Sequence, residues 1–177
     1  MPSPVILPFH GIMPRIHPTA RIAAGAVIVG DVEIGAESSV WYGCVLRGDI
    51  NKIRVGARTN IQDGTIVHVN SEGEGTIIGD DVTIGHQALL HQCVIKNCAF
   101  IGMKSGVMDY ATVEPHGVLG AGALLTPKKV VLSNQLWIGN PAKYWRDITE
   151  AERNEFDSRA GEYVALAKES LSAFCSR

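Results

Sequence analysis

An all-β solenoid, a single-stranded left-handed β-helix of hexapeptide repeats with a C-terminal α-helix, is the fold predicted for this 177-residue chain. Three observations predict it. Apolar residues recur at every sixth position, small residues hold fixed offsets from that beat, and the spacing turns helical only after Thr149. A period of six suits neither an amphipathic helix nor a lone alternating strand. It suits short strands and turns that wind a prism, each coil pairing with the next so that core residues stack in ladders. The left hand is the habit of this repeat class, an exception to the usual right-handed crossover; the periodicity itself carries no hand.

The beat runs through Ile16, Ile22, Ile28, Ile34, Val40 and Leu46, then Val55, Ile61 and Val67, then Ile78, Ile84 and Leu90. Its last run is Ile95, Ile101, Val107, Val113, Leu119 and Leu125. With three hexads to a triangular coil, residues 16–125 make about six coils, after a lead-in over 1–15. Ala20, Ala26, Ser38, Ala88, Ala99, Ser105, Ala111 and Ala123 stand four positions after beat residues. Gly35, Gly56, Gly79, Gly85, Gly102 and Gly120 follow the beat directly, where a tight corner can use left-handed or strained backbone.

Beyond Leu125, residues 126–148 read as an irregular connector with turn signals at Gly139–Pro141. Thr149 and Glu152 then form a capping box. Phe156, Ala160, Tyr163, Val164, Ala167, Leu171 and Phe174 follow at helical spacing. The C-terminal segment 149–177 therefore carries one amphipathic helix over 149–174, packed on the prism or on a neighbour.

With 46% apolar residues the chain can bury one continuous core. A net charge of −2 gives no electrostatic reason to expect nucleic acid. No apolar run approaches the roughly 20 residues of a membrane span, and MPSPVILPFHG lacks the basic start of a secretory signal. A cytoplasmic protein without a membrane partner is the expectation. Cys44, Cys93, Cys98 and Cys175 form no CxxC pair, which argues for buried thiols rather than disulfides or a zinc knuckle.

Two slips in the beat fix a register. Leu46 to Val55 is nine residues, with a three-residue surplus in RGDINK; Val67 to Ile78 is eleven, with the surplus in SEGEG. Solenoid insertions map to surface loops, often on a functional face, and these two flank His68, His86 and His91. Counting through them puts Leu46, Val67 and Leu90 in one column, so Arg47, His68 and His91 stack beside it. Coils about 4.8 Å apart let two imidazoles bind one divalent ion at Zn–N distances of about 2.0–2.1 Å.

His86 lies on the previous hexad, around a corner or across a face from His91, and reaches the same ion only from another subunit. That predicts a symmetric homotrimer with a metal at each interface. Three histidines leave a position for water, whose pKa zinc lowers to about 7. Gln62 or Asn60, one hexad earlier than His68, can orient a hydroxide or a substrate oxygen. Asp63 holds in its hexad the place that His86 holds one coil later, and can fix a neighbouring group. Arg47 and Asp49 pair with each other, with Asp63 or across subunits, either as part of the site or as an interface salt bridge without chemistry. His10, His17 and His116 read as surface or hydrogen-bonded residues.

LRGDINKIRVGARTNIQDGTIVHV, followed by IGHQALLHQCVI and later IGNPAK, resembles the γ-class carbonic anhydrases and their relatives in the hexapeptide-repeat superfamily, over about residues 10–145. The resemblance implies a left-handed β-helix trimer with Zn2+ (or Fe2+ or Co2+) at its interfaces, His68 and His91 coming from one subunit and His86 from the next. It implies reversible hydration of CO2 by a metal-bound hydroxide. The residues matching Gln62 and Asn60 would lie around the metal-bound water, and those matching Arg47, Asp49 and Asp63 would form a charged interface network. Two departures stand out. The long acidic loop that carries a proton-shuttling glutamate in active members is reduced here to SEGEG, with Glu72 and Glu74, and a second glutamate of the family is replaced by Ile50. Acyl transfer or thioester hydrolysis on coenzyme A derivatives is the alternative enzyme, and a metal-stapled trimeric scaffold the non-enzymatic one.

Overall fold

A computed structural model describes residues 3–171; Phe174 and Cys175 lie outside the described residues. The chain is a left-handed β-helix of about seven turns with a single C-terminal helix. A 12-stranded sheet forms two arms joined through the long strands Val27–Ile34 and Val45–Val55, and an 8-stranded sheet forms the remaining side. In the first arm the start of Val45–Val55 is followed by Ile66–His68, Leu89–His91, Gly106–Val107 and Leu124–Leu125. In the second arm its end is followed by Thr76–Ile78, Val94–Ile95, Thr112–Val113 and Val130–Val131. All these pairings are parallel, as successive coils of one solenoid require.

The ladders follow the beat. Leu46, Val67, Leu90, Val107 and Leu125 stand in register and are fully buried, each worth about 1.5–3 kcal/mol of apolar burial. The RGDINK surplus is absorbed in the 11-residue strand Val45–Val55, where the pairing with Val27–Ile34 shifts register after Gly30↔Gly48. The SEGEG surplus loops out before Thr76–Ile78. Its carbonyls are gathered in by Asn51, whose Nδ2 donates to Gly73 O at 3.1 Å, and by Gln92, whose Nε2 donates to Glu72 O.

The solenoid is longer at both ends than the sequence reading of 16–125. Val5–Leu7, inside the lead-in, pairs with Val27–Ile34. Residues 126–148, expected as an irregular connector, carry Val130–Val131 and Gln135–Ile138 as further rungs, closed by the antiparallel strand Lys143–Asp147. Val131 and Trp137 continue the sixfold beat from Leu125, and Val131 is fully buried. Pro127, Lys128 and Lys129 and the change from an aliphatic residue to Trp137 disguise that continuation.

The glycines after the beat have a different cause from the one expected. None of Gly35, Gly56, Gly79, Gly85, Gly102 and Gly120 has positive φ. They are small because coils touch there: a Cβ on Gly56 would lie 2.6 Å from the backbone of Gly79. Left-handed corners instead fall to Glu37, Arg58, Asp81, Cys98, His116 and Asn134, with φ from 53° to 61°. The amides of Arg58, Asp81, Cys98 and His116 each donate to a carbonyl of the preceding coil, at Ala36, Ala57, Asp80 and Asn97. That bond offsets the steric cost of the conformation.

Helix α1 (Glu150–Ser170) begins at the predicted capping box: Glu152 N donates to Thr149 Oγ1, and Thr149 N to Glu152 Oε2. Its inward stripe lies against the 8-stranded sheet. Phe156 stacks on Phe100 at 4.6 Å between ring centroids, and Tyr163 meets Trp41 edge-on at 5.6 Å. Ala167 and Leu171 join Ala23 and Trp41 in a small second core. Among the described residues no helix is long and apolar enough to cross a membrane.

Candidate metal centre

The pairing that stacks Leu90 on Val67 continues one residue further, to His91 on His68. Their ring centroids are 5.2 Å apart, as the register predicts. Arg47 does not complete this column by strand pairing: the ladder with Ile66–His68 ends at Leu46, and Arg47 pairs with Val29. It joins the histidines through Asp49. Arg47 Nη1 donates to Asp49 Oδ2, and His68 Nε2 lies 3.0 Å from Asp49 Oδ1. Burial pushes the Asp49 carboxyl up, but the hydrogen bond with His68 and the Arg47 charge outweigh it and hold the group below the usual carboxylate range.

His91 has a partner that the sequence reading missed. Its Nδ1 lies 2.5 Å from Asp109 Oδ1, and Asn70 Nδ2 donates to Asp109 Oδ2 at 3.4 Å. Asp109 balances burial, which raises its carboxyl, against the bond and charge of His91, which lower it further. One signal could have found it. Counting one coil beyond His91, from Leu90 to its partner Val107, leads directly to Met108 and Asp109.

His86 sits elsewhere, on the corner that leads into Leu89–His91. Its Nδ1 lies 2.8 Å from Asp63 Oδ2, and the two residues are one coil apart, as counted from sequence. Asp63 is therefore engaged with His86 and not with Arg47 in this chain. Asn60 and Gln62 belong to the same corner, both buried. Gln62 Nε2 donates to Asn60 Oδ1 at 3.0 Å, and Asn60 Nδ2 to Thr83 Oγ1 at 2.9 Å.

The predicted residues thus form two clusters in one chain. Arg47, Asp49, His68, His91 and Asp109 lie where the first-arm strands end; Asn60, Gln62, Asp63 and His86 lie around the corner where those strands begin. The strand starts between them present Ile66 and Leu89 to solvent at 46% and 41% exposure. Among the described residues, His68, His86 and His91 do not come together as a three-donor group.

The donor chemistry fits a divalent cation. At His86 and His91 a carboxylate takes Nδ1, which fixes the ring and leaves Nε2 as the outward donor. At His68 the carboxylate holds Nε2, so an ion taking that nitrogen displaces Asp49 onto Arg47. Glu72, Glu74 and Ile50 are all exposed. The thiols take no part: burial pushes Cys44 up to about 11 and Cys93 up to about 12, and both are free.

Fold and site together define a hexapeptide-repeat solenoid with carboxylate-backed histidine donors. No family model matches the chain. It is 44% identical over 160 residues to "Gamma carbonic anhydrase 2, mitochondrial" of Arabidopsis thaliana, covering 88% of this chain and 58% of that protein. It is 44% identical to a "Probable carbonic anhydrase" of Methanocaldococcus jannaschii, covering 86% of this chain and 96% of that one. A solved "hexapeptide transferase family protein" of Anaplasma phagocytophilum superposes with a TM-score of 0.91 at 50% identity, over 94% of this chain and 98% of the other. A "putative acetyltransferase" of Bacillus cereus does so at 0.92 and 37%, over 94% and 96%. The chain spans 58–62% of the length of the three Arabidopsis relatives. It belongs to the γ-class carbonic anhydrases of the hexapeptide-repeat superfamily.

Proposed function

We propose that this protein hydrates CO2 reversibly to bicarbonate as a homotrimer, with a divalent metal, zinc or else iron or cobalt, at each subunit interface. The observation that carries the reading is the division of the donors into two clusters on opposite sides of one prism face. His68 and His91 of one subunit would meet His86 of the next, and the exposed Ile66 and Leu89 supply apolar contact beside them. When bound, such an ion acts as a Lewis acid that makes water nucleophilic near neutral pH.

The chain's own residues do the positioning. Asp109 and Asp63 orient His91 and His86, and Arg47 receives Asp49 when an ion takes His68 Nε2. Gln62, braced by Asn60, precedes Asp63, the partner of His86, and can donate its amide to a substrate oxygen. Glu72 and Glu74 are the acidic groups available for carrying protons to solvent.

Metal analysis of purified protein paired with a stopped-flow CO2 hydration assay tests this. Metal-dependent hydration is expected, with about one divalent ion per chain fewer in His91→Ala than in the native protein. Stoichiometric metal without hydration at any pH would remove the activity and leave the site. The competing reading, acyl transfer, draws on the likeness to the "putative acetyltransferase" of Bacillus cereus; turnover of acetyl-CoA by metal-stripped protein would favour it.

A further inference from the structure

A second group of metal-binding side chains lies away from the three histidines, where helix α1 crosses the corner column of the prism. Cys98 and His116 occupy that column one coil apart, both in the left-handed conformation, with φ of 58° and 57°. Asp157 descends on them from the helix. One donor atom from each of the three lies within 4.8 Å of the others, and this is the only such trio among the described residues. All three are partly buried, and the Phe100–Phe156 stack lies beside them in sequence and holds the helix to the prism.

We propose that Cys98, His116 and Asp157 form a tetrahedral site for a zinc-type divalent cation, with water as the fourth ligand, which pins helix α1 to the solenoid. A sulfur, an imidazole and one carboxylate suit zinc or cobalt and do not suit magnesium or calcium, which take oxygen ligands. Tetrahedral bonds of about 2.0–2.3 Å bring donor atoms to about 3.3–3.7 Å from one another, so the trio closes by roughly 1 Å on binding. His116 Nδ1 and Asp157 Oδ1 already stand 3.0 Å apart.

Arg153 holds the metal-free arrangement. Its Nη2 lies 3.1 Å from His116 Nε2, and its Nε lies 3.7 Å from Asp157 Oδ2. A guanidinium only donates, so Nε2 accepts and the ring proton sits on Nδ1, facing Asp157. Binding requires the thiol proton of Cys98 to leave to solvent and the ring proton to be exchanged from Nδ1 to Nε2. Nε2 then no longer accepts, and Arg153, whose side chain is 44% exposed, turns outward. Burial and the charges of Asp157 and Asp81 keep the Cys98 thiol protonated in the absence of a cation, which argues against a thiolate nucleophile here. A bound cation reverses that balance.

Cobalt(II) titration of the full-length protein separates this site from the histidine centre, because only this one gives a sulfur-to-cobalt charge-transfer absorption. The band is expected in the native protein and in His91→Ala, and it should vanish in Cys98→Ser. Asp157→Asn should weaken cobalt binding at least about tenfold, whereas Arg153→Met, which removes a competing cation and no ligand, should tighten it. Added zinc should displace the band and protect Cys98 from alkylation. No band in either the native protein or Arg153→Met overturns the proposal, as does a band unchanged in Cys98→Ser; circular dichroism confirms that each variant is folded.

Discussion

His91 Nδ1 lies 2.5 Å from Asp109 Oδ1, one coil further along the solenoid, so the ring that would face the metal is held from behind by a carboxylate. Such a partner sets the tautomer and the ring angle and makes the donor nitrogen more basic. Asp109→Asn keeps the shape and removes the charge. We expect metal affinity to fall about 10–100-fold in competition with a chromogenic chelator, with circular dichroism unchanged. Unaltered affinity would reduce Asp109 to a surface contact.

Glu152 makes the start of helix α1 sensitive to acid. The hydrogen bond from Arg146, then those from Thr149, lower its carboxyl from 4.5 to about 2 in the fold. A depressed carboxyl stabilises the folded state fully above its unfolded pKa and loses that effect as pH falls through the folded one. The first-turn amides of α1 should therefore exchange hydrogen faster as pH drops from about 4.5 to about 2, beyond the intrinsic change. In Glu152→Gln they should start fast and show little of that dependence. A native profile equal to that of Glu152→Gln would contradict the capping role.

Gly56 and Arg58 test what each corner position requires. A methyl at Gly56 would lie 2.3 Å from Asp80 Oδ1 and 2.6 Å from Gly79, so the stacked coils must part. Gly56→Ala should cost about 1–3 kcal/mol in denaturant unfolding. Arg58 has φ of 53°, where glycine is at ease, but it also pairs with Asp81 through two bonds of 2.7 Å. Arg58→Gly should be nearly neutral, because an exposed pair is worth about 0–1 kcal/mol and the relieved backbone offsets it. A larger loss at Arg58 than at Gly56 would reverse this assignment.

Periodicity alone made the ladders legible. Leu46, Val67 and Leu90 could be aligned through both insertions because each column tolerates only apolar residues, and the stacking of His68 on His91 followed by adding one. Contacts made across coils by residues off the beat were not legible in this way. Asp109 lies outside every motif around the histidines, and Asp157 reaches His116 from a helix 41 residues away in sequence. The last rungs were hidden for a different reason: Val131 keeps the beat, but Pro127 and two lysines precede it, and those signal a loop. The separation of His86 from His68 and His91 was legible, since a corner between strands cannot be crossed by one side chain.

That separation makes the sharpest prediction about the assembled protein. If each interface metal takes His68 and His91 from one chain and His86 from the next, neither His86→Ala nor His91→Ala alone holds metal at the histidines. A mixture of the two variants, unfolded and reassembled together, gives trimers of which about three quarters contain both chains by random assortment. Around such a ring, an interface is whole only where a His86→Ala chain supplies His91 to a neighbour that still carries His86. Every mixed trimer has one such interface and two broken ones. In a Cys98→Ser background, metal content and CO2 hydration should both return to about a quarter of the native level. If the three histidines belonged to one chain's own site, no mixture would recover either quantity.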